Sequence, residues 1–321
     1  MAFDPIQAKI LTWSYRGIDL ISEDAGPKLT FWRAPTDNDK PRAANVWRGW
    51  RVHMMTEEVR SVDHHYFEES GSFEIIVKSW LAPKVLAWGF ETTTTYTISS
   101  EGKVLIHVHA SPQRNTPSIL PRVGLEMMLP EDRTSVQWFG LGPGQTYRDM
   151  KEAGKIGIWK RDVDEMMVDY DMPQENGNRT ETRWVKVTDE RGIGMKATLH
   201  RPGDAEAVST QHSRASSADT QSQLSNRSSL ESWDMVHRPK EQASSRPGRP
   251  GFDFAVSKYT AEDLDQAQHP YELKGSKGVN FRIDDDHHGL GSASCGPDTL
   301  EQHQLKMREF DFTVTLEATG V

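Results

Sequence analysis

Apolar and polar residues alternate with a period of two along much of this sequence, and no other feature restricts its fold as much. Successive side chains of an extended strand point to opposite faces, so such a run has one face to bury and one to wet. Residues 73–80, FEIIVKSW, read as one strand. ETTTTYTIS (91–99) and KVLIHVHAS (103–111) flank Glu101-Gly102, a turn signal that predicts a hairpin. VGLEMMLP, SVQWFGL, ETRWVKVTD, IGMKATLH, FDFAVSKY, VNFRID and EFDFTVTLEA extend the series, with Glu190-Arg191-Gly192 as a turn between two of them. Parallel sheets need long helical crossovers, so about ten strands on short connections predict an all-β fold, a large antiparallel β-sandwich. Helices are scarce: TAEDLDQA (260–267) opens with Thr260 and carries Asp263 three residues on, a capping-box start. A helix or an irregular turn fits NVWRGW, where Trp47 and Trp50 are three apart.

One segment breaks the pattern. Residues 209–248 are dense in serine, arginine, glutamine and proline, and bury too little surface to offset their ordering entropy. They predict a disordered insertion within a single domain spanning 1–321, with Trp233, Met235 and Val236 the one hint of a docking element. The 321 residues, 36% hydrophobic and with ten tryptophans, allow a sizeable core. A net charge of −9 argues against nucleic-acid and anionic-membrane partners, which need an excess of lysine and arginine. The single cysteine, Cys295, excludes an intrachain disulfide and cysteine-based zinc modules. The start carries no apolar signal region and no run approaches membrane-spanning length, so the expected location is the cytoplasm.

Candidate chemistry competes with plainer readings. A glycosidase places two carboxylates across the scissile bond, but 47 acidic residues give no unique pair. Asp37 and Asp39 in FWRAPTDND (31–39) lie on one side of any extended segment, although an Asp-Asn-Asp run more readily bonds its own backbone in a turn. Glu175 in PQENGNR is the other local candidate. His107 and His109 share a strand face as metal ligands can, yet a solvated face is the simpler reading. The DDDHH run (284–288) reads as a charged loop blocking a sheet edge rather than a cation site. GLGPGQTYRD (140–149) lacks the Gly-Lys-Ser/Thr of a phosphate loop; its glycines give a tight path and Tyr147, Arg148 and Asp149 supply polar tips. Cys295, in GLGSASCGP, has no adjacent base and reads as a wall position, not a nucleophile.

Taken in order, AGPKLTFWRAPTDND, WFGLGPGQTYRD, MPQENGNRTETRWVKVTD, FDFAVSKYTAEDLDQAQHPYEL and HHGLGSASCGP resemble the C-terminal domain, or small chain, of glycoside hydrolase family 2 β-galactosidases. The match runs from about Phe3 to Leu316, leaving out the serine-rich insertion, and the SASCGP form is similar to fungal members. The resemblance implies a large sandwich like that of galactose mutarotases. It implies a β-galactosidase acting on terminal β-D-galactosides such as lactose, and homo-oligomers of the full enzyme. The catalytic glutamates would lie in a TIM-barrel remainder, encoded in the same gene or a separate large subunit, so this chain holds no catalytic residue. It implies that this chain binds no cofactor, magnesium and sodium belonging to the complete enzyme. In several relatives a tryptophan from the loop matching GLGSASCGP stacks on galactose; here that position falls on Cys295 or Gly296. The implied sugar contacts are therefore Ser294, Cys295 and Gly296, with Glu175, Asn176 and Arg179 in support. Arg33, Asp37, Asn38 and Asp39 become a structural loop, with Arg33 paired to a carboxylate and Asp37 bracing a turn. A stand-alone carbohydrate-binding module and a truncated, inactive gene product are the alternatives.

Overall fold

In the computed structural model the described residues are 1–199 and 251–320. The serine-rich stretch 209–248, with Trp233, Met235 and Val236, lies outside them. The chain opens with short strands, β1 (Ala2–Asp4), β2 (Lys9–Thr12), β3 (Ser14–Tyr15) and β4 (Ile18–Asp19), which form two small hairpin sheets. β5 (Lys28–Thr30) leads into helix α1 (Ala43–Gly49). A meander follows: β6 (Met55–Phe67), β7 (Ser72–Pro83), β8 (Gly89–Ile98) and β9 (Val104–Gln113). β10 (Arg122–Leu129), β11 (Ser135–Gly142), β12 (Lys155–Asp162), β13 (Arg179–Thr182), β14 (Trp184–Thr188) and β15 (Gly194–Leu199) complete the first described stretch. The second holds β16 (Phe252–Ser257), helix α2 (Ala261–Gln266), β17 (Val279–His287) and β18 (Phe310–Thr319).

Every strand pairing among the described residues is antiparallel. A nine-stranded sheet runs β12-β11-β14-β15-β18-β9-β8-β7-β6, and a five-stranded sheet runs β13-β16-β17-β10-β5. The inner faces share one core. Phe31, just past β5, stacks on Phe90 of β8 with centroids 4.4 Å apart, and Trp138 of β11 meets Phe254 of β16 edge-on at 5.8 Å. Aromatic pairs of this kind bury large apolar areas and fix the spacing of the layers. The expected all-β antiparallel sandwich is the observed architecture. No helix among the described residues is long and apolar enough to cross a membrane.

The expected hairpin is β8–β9, closed by the Gly102 amide on the Ser99 carbonyl. α2 starts where the capping box places it: the Asp263 amide donates to Thr260 Oγ1 and the Thr260 amide to Asp263 Oδ2. α1 forms at NVWRGW. One expectation is corrected. The DDDHH run is not a charged edge loop: residues 284–287 continue β17, the middle strand of the five-stranded sheet, and Asp284, Asp286, His287 and His288 are buried. Phe281 and Ile283 join the core from one face of β17, and the period of two sends Arg282 and Asp284 to the other. Such charges tolerate burial only when paired, and Arg122 and Arg148 reach Asp284 and Asp286 from other strands and loops.

Candidate functional site

The loops that the sequence singles out converge at one place, over the outer face of the five-stranded sheet. FWRAPTDND enters from the core: Phe31 and Trp32 are buried there, and Arg33 follows with no exposure at all. Arg33 donates to both oxygens of Asp39 at 2.7 and 2.9 Å, to the His288 carbonyl at 2.6 Å and to the Gly289 carbonyl at 3.1 Å. Its guanidinium also lies over Trp47, 5.1 Å from the ring centre. Asp39 closes the turn, taking the Thr36 amide while Thr36 Oγ1 takes the Asp39 amide. The two aspartates therefore sit in different environments: Asp39 is buried, whereas Asp37 faces water. Asp37 bonds Lys40 and Gln174, and the Lys40 contact holds its carboxyl below the usual range. The turn separates the carboxylates that an extended segment would have aligned, and Asp39, not Asp37, caps it.

Beneath this turn lies a buried polar cluster. Arg282 of β17 donates to Glu175 at 2.7 and 2.5 Å, and the Tyr147 hydroxyl adds a bond of 3.2 Å. Burial alone would raise the Glu175 carboxyl, but the Arg282 charge and its bonds hold it well below the ordinary carboxylate range. Arg33 Nη1 lies 3.0 Å from His287 Nδ1. The same Nδ1 lies 3.0 Å from the His288 carbonyl, and Nε2 lies 3.7 Å from Glu175. His288 Nδ1 accepts from the Leu305 amide at 3.0 Å. Protonating His288 Nδ1 would set donor against donor. Burial, with Arg33 nearby, pushes His287 down to about 4 and His288 to about 2.

The other motifs bind this cluster together. The 145–147 and 176–180 segments are sewn by the Gly177 amide on Gln145, the Thr180 amide on Thr146 Oγ1 and Asn178 Nδ2 on the Thr146 carbonyl. Arg148 reaches Asp286 and the Gln304 carbonyl. Asp149 accepts the amides of Leu290 and Gly291 at 2.9 and 2.8 Å. Above them the 289–297 loop turns outward. Gly291 has φ +66, and a Cβ there would press on Thr299, so glycine is required. The tip folds on itself, with the amides of Cys295 and Gly296 both on the Ser292 carbonyl.

The residues proposed from sequence thus fall into two sets. Ser294, Cys295 and Gly296 are exposed together at the loop tip, beside Asn38. Glu175, Asn176 and Arg179 are buried below, at 2%, 6% and 2% exposure, with side chains bonded to protein. Asn176 holds the Val168 amide and the Gln174 carbonyl. Arg179 donates to the Gly177 carbonyl and lies over Trp138, with burial pulling its guanidinium down to about 10. His107 and His109 share the outer face of β9 and bond Thr313 and Asp311. Among the described residues no group of three His, Cys, Asp or Glu is placed to hold a metal ion. Sequence reasoning missed Arg282, Gln174 and His288 as parts of the site. Their signal was positional only, since each lies inside or next to a motif already marked.

Fold and site together define a large antiparallel sandwich domain that presents a shaped, exposed loop tip over a buried ionic cluster. This chain belongs to the β-galactosidase small-chain family, which matches residues 1–316. It is 28% identical to the β-galactosidase of Kluyveromyces lactis over 314 residues, covering 98% of this chain and 26% of that protein. It is 25% identical to the β-galactosidase of Arthrobacter sp. (strain B7) over 304 residues, covering 88% of this chain and 25% of that protein. The chain therefore spans about a quarter of the length of these curated relatives. Among solved structures, a GalM/aldose epimerase homologue from C. elegans aligns with a TM-score of 0.34 and 10% identity, over 82% of this chain and 69% of that one.

Proposed function

We propose that this chain is the C-terminal portion of a β-galactosidase that hydrolyses terminal β-D-galactosides such as lactose. It completes the sugar pocket and an assembly interface, while the catalytic glutamates, and the magnesium and sodium of the complete enzyme, belong to a barrel-bearing remainder. One observation carries the reading: the small-chain family matches residues 1–316, and the relatives in which that region is a quarter are β-galactosidases.

The site supports a non-catalytic share of the work. A general acid and base must both reach the scissile bond. Here Glu175 is locked to Arg282 and Asp39 to Arg33, both beneath the surface. Ser294, Cys295 and Gly296 offer small, polarisable and hydrogen-bonding contacts to a sugar placed from the partner side. Glu175, Asn176 and Arg179 brace that wall from below. The chain acts in the cytoplasm, and the complete enzyme is a homo-oligomer.

The test is turnover of a chromogenic β-galactoside by the purified chain, alone and with a barrel-bearing partner. The expected result is no turnover alone and clear turnover in the assembly. Turnover by the chain alone would overturn the reading.

A further inference from the structure

The exposed tip at 292–296 packs little of its own side-chain bulk, so its position has to come from elsewhere. Three polar side chains outside the loop supply it. Asp149 accepts from the Leu290 and Gly291 amides, and Arg33 donates to the His288 and Gly289 carbonyls, which fixes the base of the loop. Neither reaches the tip. Asn38 does. Its Nδ2 donates to the Gly291 carbonyl at 2.9 Å, and its Oδ1 accepts from the Ser294 amide at 3.1 Å and from Ser294 Oγ at 2.5 Å. One carboxamide thus bridges the outgoing and returning arms of the loop, one residue before Cys295.

Asn38 is itself held. It sits between Asp37, tied to Gln174, and Asp39, tied to Arg33 and the Thr36 amide. The geometry points to Asn38 as a positioning residue for galactoside recognition. It sets where Ser294 and Cys295 stand, and so passes the rigidity of the Arg33–Asp39 turn to the sugar-facing wall. This rests on the function proposed above. It also gives the middle of the FWRAPTDND motif a purpose, since Arg33 and Asp39 build the turn from which Asn38 reaches across. An amide is the fitting group, because the position needs a donor and an acceptor on one planar end. Serine or aspartate could supply only part of the bridge.

The chain's single cysteine makes the tip observable. Two readouts on the full chain, alone and with the barrel-bearing partner, test the proposal. Amide hydrogen exchange over 289–297 reports the clamp, and protection of Cys295 from iodoacetamide by galactose reports the sugar. Losing the bridge removes net hydrogen-bond energy equivalent to about a tenfold change in an equilibrium. Asn38→Ala is therefore expected to speed exchange at Ser294 and to need about tenfold more galactose for equal protection of Cys295. Asn38→Asp keeps the acceptor and loses the donor, so it should fall between the two. Exchange and protection unchanged in Asn38→Ala would overturn the role of Asn38. If galactose fails to protect Cys295 in the wild type in both settings, the recognition role falls with the sugar reading. Faster exchange in Asn38→Ala would then still locate the error in the sugar reading rather than in the clamp.

Discussion

Glu175 shows how a residue can be flagged correctly and still do something other than its type suggests. A glutamate in a polar motif looks available for chemistry. In the fold it is enclosed, with Arg282 on both oxygens and Tyr147 and His287 around it. A buried ion pair gains little over an apolar pair of the same shape, but removing one partner strands the other charge. Glu175→Gln is therefore expected to cost about 3–5 kcal/mol of stability. Glu175→Leu combined with Arg282→Met should cost distinctly less than the two single changes summed, a coupling that a double-mutant cycle in urea measures. Additive losses would mean that the pair does not act as a unit. The sequence could not show this, because the partners are separated by 107 positions. The resemblance did imply that Arg33 pairs with a carboxylate, and the structure supplies it as Asp39, six residues away in the same motif.

At the scale of elements, legibility tracked how much of the burial pattern was apolar. β7, β8, β9, β11, β14 and β18 each put an apolar face on the core and were readable from period two alone. β6 was not read as a strand. It is an edge of the nine-stranded sheet, mostly exposed along its length, so charges such as Glu58, Arg60 and Asp63 hide the alternation. β12, the opposite edge, also went unread, and it exposes Ile156 and Ile158. β17 was read only in its first part, VNFRID, and not through the acidic run that continues it. Its aspartates announced solvent, but Arg122 and Arg148 neutralise them inside. The helix start was legible because a cap is a local device. Thr260→Ala removes the acceptor for the Asp263 amide and should cost about 1 kcal/mol. Denaturant unfolding of this variant checks it, and an unchanged midpoint would show that α2 is held by packing of Ala261 and Leu264 instead.

Arg33, Asp39, Glu175, Arg282, Asp284, His287 and His288 are buried together in the layer between the five-stranded sheet and the loop cluster, and at the scale of the whole molecule this layer should govern the response to acid. Above pH 6.5, the ordinary histidine value, His287 and His288 are neutral in both folded and unfolded chains and contribute nothing. Below it the unfolded chain takes up protons at both positions. The folded chain takes none until about pH 4 at His287 and about pH 2 at His288, so stability falls with pH. Each histidine contributes about 1.4 kcal/mol per pH unit inside its window. Asp284 opposes this. Burial lifts its carboxyl to about 6 despite Arg122, so between pH 6 and its ordinary 3.8 the folded chain binds the extra proton, offsetting about one histidine. Asp39, also lifted by burial, acts in the same direction. Glu175, held low, adds stability above 4.5 that is lost below it. The net expectation is a steep start between pH 6.5 and 6, a shallower decline while Asp284 and Asp39 oppose the histidines, and a steeper one again at low pH, where Glu175 joins below 4.5 and the lifted aspartates are protonated in both states below 3.8. His288→Asn isolates one contribution, because the asparagine oxygen can replace Nδ1 as acceptor for the Leu305 amide without titrating. Its stability should fall less steeply than the wild type's between pH 6.5 and 4, by about 1.4 kcal/mol per unit, whatever its absolute value. Urea unfolding at four pH values gives both slopes. Parallel curves for the two proteins would mean that His288 titrates normally in the fold, and that the Arg33–His288 region is wet rather than sealed.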